Sequence, residues 1–400
     1  MRMERDELAS AAAGFSGFFF LLASVSVLRP VRDQAGIARG VAALPGMFAA
    51  TFLAVAAAAL LVAWIAARVP RSRYIPLTYR IFAAGLLAIW IALRAGAPWA
   101  GAALFVWSGV CSLMAVSLYW GLLTDAFSRP QGARLFGLIA AGGTAGTLAG
   151  PLLVQWLARP LGPANLIPIS AALLEVSVRY SGLLRRSAGC VPGVAMAPLT
   201  LRDTLAPLLR SKLLRTLCGY VLLLTGTATL LYVEQARIVA QSSGDDGERT
   251  LLFARIDLTV NATTLALQAC VARPFLQLAG LRAALSVLPL LTAAGFLAFA
   301  QSPSLAVLAL AQGLRRAAHF GIERPGREAL LTALDRDQKY APKAFIDSVV
   351  YRGGDALAAW LSQALPASAL APAALALCAV WLVNSLALAR IGQHKKGGLR

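Results

Sequence analysis

The residues of this 400-residue chain that could do chemistry are ionisable side chains set inside long apolar runs. A charged group at the centre of a spanning helix costs about 2.5–3.5 kcal/mol on insertion scales, so it is expected to face protein or water, at a solute pathway or a proton relay. Arg29, Arg32 and Asp33 close the first apolar run. Glu234 and Arg237 stand three apart in the seventh, where Tyr220, Thr227 and Glu234 share one face. In the eighth, Asp257, Asn261, Thr264 and Gln268 recur at i, i+4, i+7 and i+11, which makes one helical face polar. Such a face lines a cavity or forms a hydrogen-bond seam between helices. In the eleventh, Asp347, Tyr351 and Asp355 recur at i, i+4 and i+8, and Arg352 stands where it can neutralise Asp355 locally. Asp347 lacks so close a sequence partner and reads as a proton or solute group. Arg80, Arg179, Arg255, Arg315 and Arg316 add positive charge in or near the apolar runs. Arg179 and Arg255 equally fit interfacial anchors. Basic groups outnumber acidic ones in this set, which points to an anionic solute.

Other chemistries lack their parts. The histidines are His319 and His394, and no Ser-His-Asp or Cys-His set is in reach, so an enzyme is not expected. The five cysteines, Cys111, Cys190, Cys218, Cys270 and Cys378, are odd in number and show no CxxC spacing. That argues against a disulfide framework or zinc site, and neither metal nor cofactor is expected. Gly142, Gly146 and Gly150 are spaced four apart, but no Gly-Lys-Ser/Thr follows to make a phosphate loop. Small residues at that spacing let helix backbones approach closely. Pumping by nucleotide hydrolysis is therefore unsupported.

The elements that must position these groups follow from composition. The chain is 58% hydrophobic and 14% charged; soluble domains run nearer 45–50% and 25%. A bilayer is the expected solvent. A spanning helix needs about 20 mostly apolar residues, and such runs lie near 8–28, 41–67, 75–95, 99–124, 133–157, 164–184, 213–240, 251–272, 281–301, 303–323, 343–365 and 368–390. The first exceeds a signal-peptide core and reads as a retained helix. The net charge of +19 comes from Lys and Arg in short segments between runs, without the aromatic interleaving of a nucleic-acid surface. One set of connections is rich in Arg68, Arg71, Arg73, Arg129, Arg134, Arg185 and Arg186, and later Arg324, Arg327, Lys395 and Lys396. The positive-inside rule puts that set and both termini in the cytoplasm. A Pro- and Gly-containing break over 185–212 separates residues 1–184 from 213–400, two groups of six spans. The expected class is an all-α membrane protein of about twelve transmembrane helices in two six-helix pseudo-repeats, on the major-facilitator plan.

At the charged clusters the chain resembles the nucleotide transporter family, the ADP/ATP exchangers of plastids and intracellular bacteria, and especially their free-living bacterial relatives. The stretches that carry the resemblance are Leu28-Arg-Pro-Val-Arg-Asp33, Leu118-Tyr-Trp-Gly121, Arg134-Leu-Phe-Gly137, Tyr232-Val-Glu-Gln-Ala-Arg237, Arg324-Pro-Gly-Arg-Glu328 and Lys343-Ala-Phe-Ile-Asp347. The resemblance implies solute roles for Arg32 and Asp33, where the exchangers carry a Lys-Asp pair, for Glu234, and for Arg327 and Glu328, where they carry Lys-Glu. The chain departs from the exchangers at Phe105-Val-Trp107, where they have a glutamate just before a tryptophan.

Together these features predict a secondary transporter of the bacterial inner membrane, moving a small anionic solute, a nucleotide or another phosphorylated or carboxylated metabolite, by alternating access. The expected solute site is Arg32, Asp33, Glu234, Arg237, Asp257, Asn261, Arg327, Glu328, Asp347, Arg352 and Asp355. Two rivals stay open: a proton-coupled carrier of a non-nucleotide solute, and a non-transporting membrane partner or sensor docking a cytoplasmic protein through 324–342.

Overall fold

Inside a bilayer every backbone N–H and C=O must be satisfied within the protein, so apolar runs of this length fold as helices. The computed structural model describes residues 5–66, 68, 71–187, 201–268, 273–331, 342, 343 and 345–397. Among these residues the ordered structure is helical, with no strand. The helices are α1 Arg5–Ile37, α2 Leu44–Ala66, α3 Arg71–Arg94, α4 Ala100–Ala126, α5 Arg129–Leu161, α6 Leu166–Ser187, α7 Leu201–Arg210, α8 Lys212–Ser242, α9 Asp246–Leu267, α10 Arg273–Gln301, α11 Leu305–Ala318, α12 Arg324–Leu331, α13 Tyr351–Ala364 and α14 Ala367–Gly397.

Ten of them are long and apolar enough to cross a membrane. Two further segments complete about twelve spans. α11 runs into α12 through a π-helical turn, His319–Glu323, without leaving the helical region, for roughly 40 Å. The turn has a local cause. Pro325 has no N–H to give Gly321, and the preceding Arg324 N–H bonds His319, five residues back. A second π turn, Ile346–Val350, leads into α13.

The sequence ends the first span near Leu28; the helix instead continues to Ile37 across Pro30. Arg29, Arg32 and Asp33 are therefore helix residues and not a loop. Part of the 185–212 break, 188–200, lies outside the described residues, as do 332–341 of the proposed docking segment, Cys190 and Cys270. The described end of the break forms α7.

The chain divides into two compact units. Unit 1 is Met1–Gly40, Leu53–Pro198 and Ser242–Leu258; unit 2 is Val41–Phe52, Leu199–Gln241 and Thr259–Arg400. In unit 1, α1 is held by its neighbours through small and polar groups. A Cβ on Gly142 would lie 2.6 Å from the Phe15 carbonyl oxygen, and one on Gly146 would strike that of Phe19. The four-residue glycine spacing of α5 thus lets it lie against α1. Tyr119 donates to the Gly14 carbonyl (2.9 Å), Ser177 to that of Gly17 (2.8 Å), and Ser24 to that of Ser170 (2.8 Å). Without a hydrophobic drive between helices in lipid, close packing and such bonds are what hold them.

Unit 2 repeats the device. Gly354 of α13 sits against Thr225 and the Leu222 carbonyl of α8. Tyr220 of α8 donates to the Leu285 carbonyl of α10 (3.2 Å) and packs edge-on against the fully buried Trp381 of α14. Leu53, Leu60, Trp156, Leu357 and Val383 stay exposed, as lipid-facing side chains should. The fold is a multi-pass membrane architecture of two six-helix pseudo-repeats.

Candidate functional site

In unit 1 the site is built on the last turns of α1. Residues at i, i+3 and i+4 share a face, which groups Arg29, Arg32 and Asp33. Asp33 is 4% exposed and accepts from Arg32 Nε at 2.8 Å and also from Nη2. The same guanidinium lies 5.1 Å from the centre of the Phe105 ring. Phe105 thus offers the Arg32 cation an aromatic face. Arg29 Nη1 is 3.6 Å from Asp257 Oδ1 of α9. A small cleft runs below: Arg29, Arg32, Ser24, Ser108, Ser112 and Ser170 supply its polar wall, and Leu28, Leu86 and Leu174 part of its apolar one. Asp33 and Asp257 do not line it. The charged part of this wall is cationic, and its serine hydroxyls donate to backbone carbonyls, Ser108 to Phe105 and Ser112 to Gly109.

Unit 2 holds four polar groups. On α8, Glu234 accepts from Arg237 Nη1 at 2.7 Å, and Arg237 Nη2 donates to the Ser362 carbonyl of α13 at 3.1 Å. Further in, Asp355 is 7% exposed, accepting from Thr229 Oγ1 (2.9 Å) and Arg352 Nη1 (3.2 Å). Across from these, α11 presents Gln312, whose amide donates to Gln235 (2.6 Å), and Arg316, which donates to Asn261 Oδ1 (2.8 Å). The fourth group surrounds the π turn. Glu323 is wholly buried; His319 Nδ1 lies 2.8 Å from one of its oxygens and Arg327 Nε 3.0 Å from the other. Arg327 also donates to Asp347 Oδ1 (3.2 Å), while Lys343 pairs with Glu328 (2.6 Å). Burying the Glu323 charge is tolerable only because two basic groups face it.

The sequence-predicted residues thus fall into several clusters. Arg32, Asp33 and Asp257 meet in unit 1 through Arg29. In unit 2, Glu234 pairs with Arg237, Arg352 with Asp355, and Asn261 with Arg316. Arg327 and Glu328 do not pair with each other: neighbours in sequence point about 100° apart on a helix, so each finds its own partner. On the face expected to be polar along α9, Asn261 accepts from Arg316 and Thr264 donates to the Val260 carbonyl of its own helix (2.7 Å). Arg80 and Arg179 flank Glu175 with side chains 61% and 77% exposed.

Sequence reasoning passed over Ser24, Ser108, Ser112 and Ser170, whose hydroxyls carry no periodic signal. It also passed over the role of His319 and Glu323, although His319, Glu323 and Arg327 at i, i+4 and i+8 were there to be read. Among the described residues no three His, Cys, Asp or Glu side chains group as a metal site would require.

No family model matches the chain, and no curated protein matches its sequence. Solved structures do match its fold. A bacterial homologue of the iron transporter ferroportin, in an inward-facing state, is similar over 96% of this chain and 99% of its own, with TM-score 0.71 and 14% identity. A POT family transporter bound to a thioalcohol-conjugated peptide is similar over 96% of both chains, with TM-score 0.70 and 11% identity. A nucleoside transporter is similar over 98% and 100%, with TM-score 0.65 and 13% identity. At these identities the likeness establishes the major-facilitator fold and leaves chemistry to the residues.

Proposed function

We propose that the protein is a secondary transporter of the bacterial inner membrane that moves a small anionic solute by alternating access. Residues 1–184 and 213–400 are its two halves, and both termini face the cytoplasm. The observation that carries the reading is the unit 1 cleft, whose charged wall is Arg29 and Arg32 while their carboxylate partners do not line it. Two guanidiniums match a phosphate or carboxylate group. The resemblance to nucleotide exchangers makes nucleotides the first solutes to try. Glu234, Asp257 and Asp347 are then gate or proton groups, each beside an arginine of its own cluster.

The test is uptake of labelled nucleotides, inorganic phosphate and simple carboxylates into proteoliposomes. The reading predicts saturable uptake of at least one anion, and loss of it in the Glu234→Gln, Arg32→Gln double variant. Unchanged transport in that variant would remove both residues from the site. Orientation has its own check. A reporter fused to the C-terminus is predicted to be active only in its cytoplasm-dependent form, as the positive-inside rule requires.

A second reading has one observation in its favour. The His319–Glu323–Arg327 group, set around the wholly buried Glu323, is built like a proton site, as a proton-coupled carrier of a non-nucleotide solute would need. A pH gradient that drives uptake of a neutral solute would favour it over anion exchange.

A further inference from the structure

Arg29 takes part in two arrangements at once. It lines the unit 1 cleft beside Arg32, and its Nη1 stands 3.6 Å from Oδ1 of Asp257, which does not line the cleft. α1 and α9 lie on opposite sides of the 185–212 break, yet α9 as far as Leu258 belongs to unit 1. Apolar packing places it there: Leu251 and Ala254 are buried in one cluster with Val27, Val31 and Ala35 of α1. Asp257 follows Ala254 at i+3, so the packed face of α9 also carries the carboxylate that meets Arg29.

The two arginines of the cleft are held in different ways. Asp33 accepts from Nε (2.8 Å) and from Nη2 of Arg32, its neighbour on the same helix. That pair is local and needs no second helix. The Arg29–Asp257 separation exceeds hydrogen-bond range, so this pair has Coulomb attraction without a directed bond. It also depends on α9 keeping its place. The Asp257 side chain is 13% exposed, against 5% for Asp33. A carboxylate or phosphate oxygen in the cleft can close to about 2.7–2.9 Å on a guanidinium and can take two of its donors. It therefore competes with Asp257 on better terms than with Asp33.

We infer that an anionic group of the solute, carboxylate or phosphate, takes Arg29 from Asp257, so that loading the cleft loosens α9 from α1. Asp257 is a positioning residue: a competitor built into the fold, whose release couples solute binding to alternating access. Arg32, kept by Asp33 and by the Phe105 ring, stays as the fixed anchor. The inference deepens the proposed anion transport and rests on it.

The experiment uses the full chain in a neutral detergent, with inorganic phosphate and succinate as probes and phosphatidylglycerol in a separate arm. Saturable thermal stabilisation reads the apparent affinity. Removing a competitor has a signature that loss of a structural contact does not. Asp257→Asn should bind the anion about tenfold more tightly, and Arg29→Gln about tenfold or more less tightly. Asp257→Glu, which restores the charge, should return the affinity towards wild type. A second readout leaves the pair intact. Spin labels on Ala38→Cys and Glu248→Cys, both exposed positions, with the native cysteines replaced by alanine, report the distance between α1 and α9 within unit 1. That distance should lengthen as phosphate or succinate saturates. Equal anion affinity in wild type and Asp257→Asn, with an unmoved label distance, overturns the inference and leaves anion transport standing. A distance that answers to phosphatidylglycerol and to neither soluble anion also overturns it, since a lipid headgroup would then be the ligand. A wild type stabilised by a neutral solute and by no anion overturns the anion reading itself.

Discussion

At the scale of single residues, ion pairing decides where charge can sit. Glu323 has no exposure and two basic neighbours, so Glu323→Gln removes the counter-charge of a buried arginine. Breaking one side of a buried pair costs about 3–5 kcal/mol. Reversible unfolding in mixed micelles is predicted to show a loss of that order, whereas Glu175→Gln, in an exposed cluster, should cost about 0–1 kcal/mol. Phe105 is predicted to matter through its ring. Phe105→Leu keeps an apolar side chain of similar bulk but loses the aromatic face beneath Arg32, and about 0.5–2 kcal/mol of stability with it. The same unfolding assay reads this change, and a Phe105→Tyr variant should retain most of the stability. These residues differ in how visible they are beforehand. The pairs Glu234–Arg237 and Arg352–Asp355 stand three apart, so helical geometry alone predicts them. The pair Arg29–Asp257 joins residues more than two hundred positions apart, and no local pattern encodes it.

At the scale of elements, small residues set the spacing between helices. The Gly142, Gly146, Gly150 series was legible as a close-approach face, and its partner proves to be α1, which crosses it at Phe15, Phe19 and Ser26. Gly146→Ala must push α5 away from a backbone carbonyl, which does not yield as a flexible side chain would. A loss of about 1–3 kcal/mol is predicted, measured against Gly137→Ala on the same helix, where an added Cβ meets nothing within 4 Å. Helix ends were less legible. The first apolar run ends at Leu28, but satisfied charges let α1 continue to Ile37, because a paired arginine does not force the chain into an interface. The tenth span likewise carries on through a π turn and Pro325 as far as Leu331. A proline one turn after a polar residue reads as a stop in sequence; here one skipped hydrogen bond absorbs it.

For the whole molecule, composition and apolar run length were enough to give an all-α membrane fold of about twelve spans, and the likeness to major-facilitator transporters agrees with it. Fold alone does not choose a solute, since transporters of peptide and nucleoside share these helices. In the proposed function the choice rests on side chains such as Arg29 and Arg32, whose guanidiniums line a serine-walled cleft. Counterflow exchange by the purified protein in liposomes, comparing wild type with the Arg29→Gln, Arg32→Gln double variant, tests this most directly. The account predicts that wild type exchanges an anion and that the double variant raises its KM or cuts its rate by about tenfold or more while staying folded. Exchange of the same anion at an unaltered KM and rate by a folded double variant would contradict it.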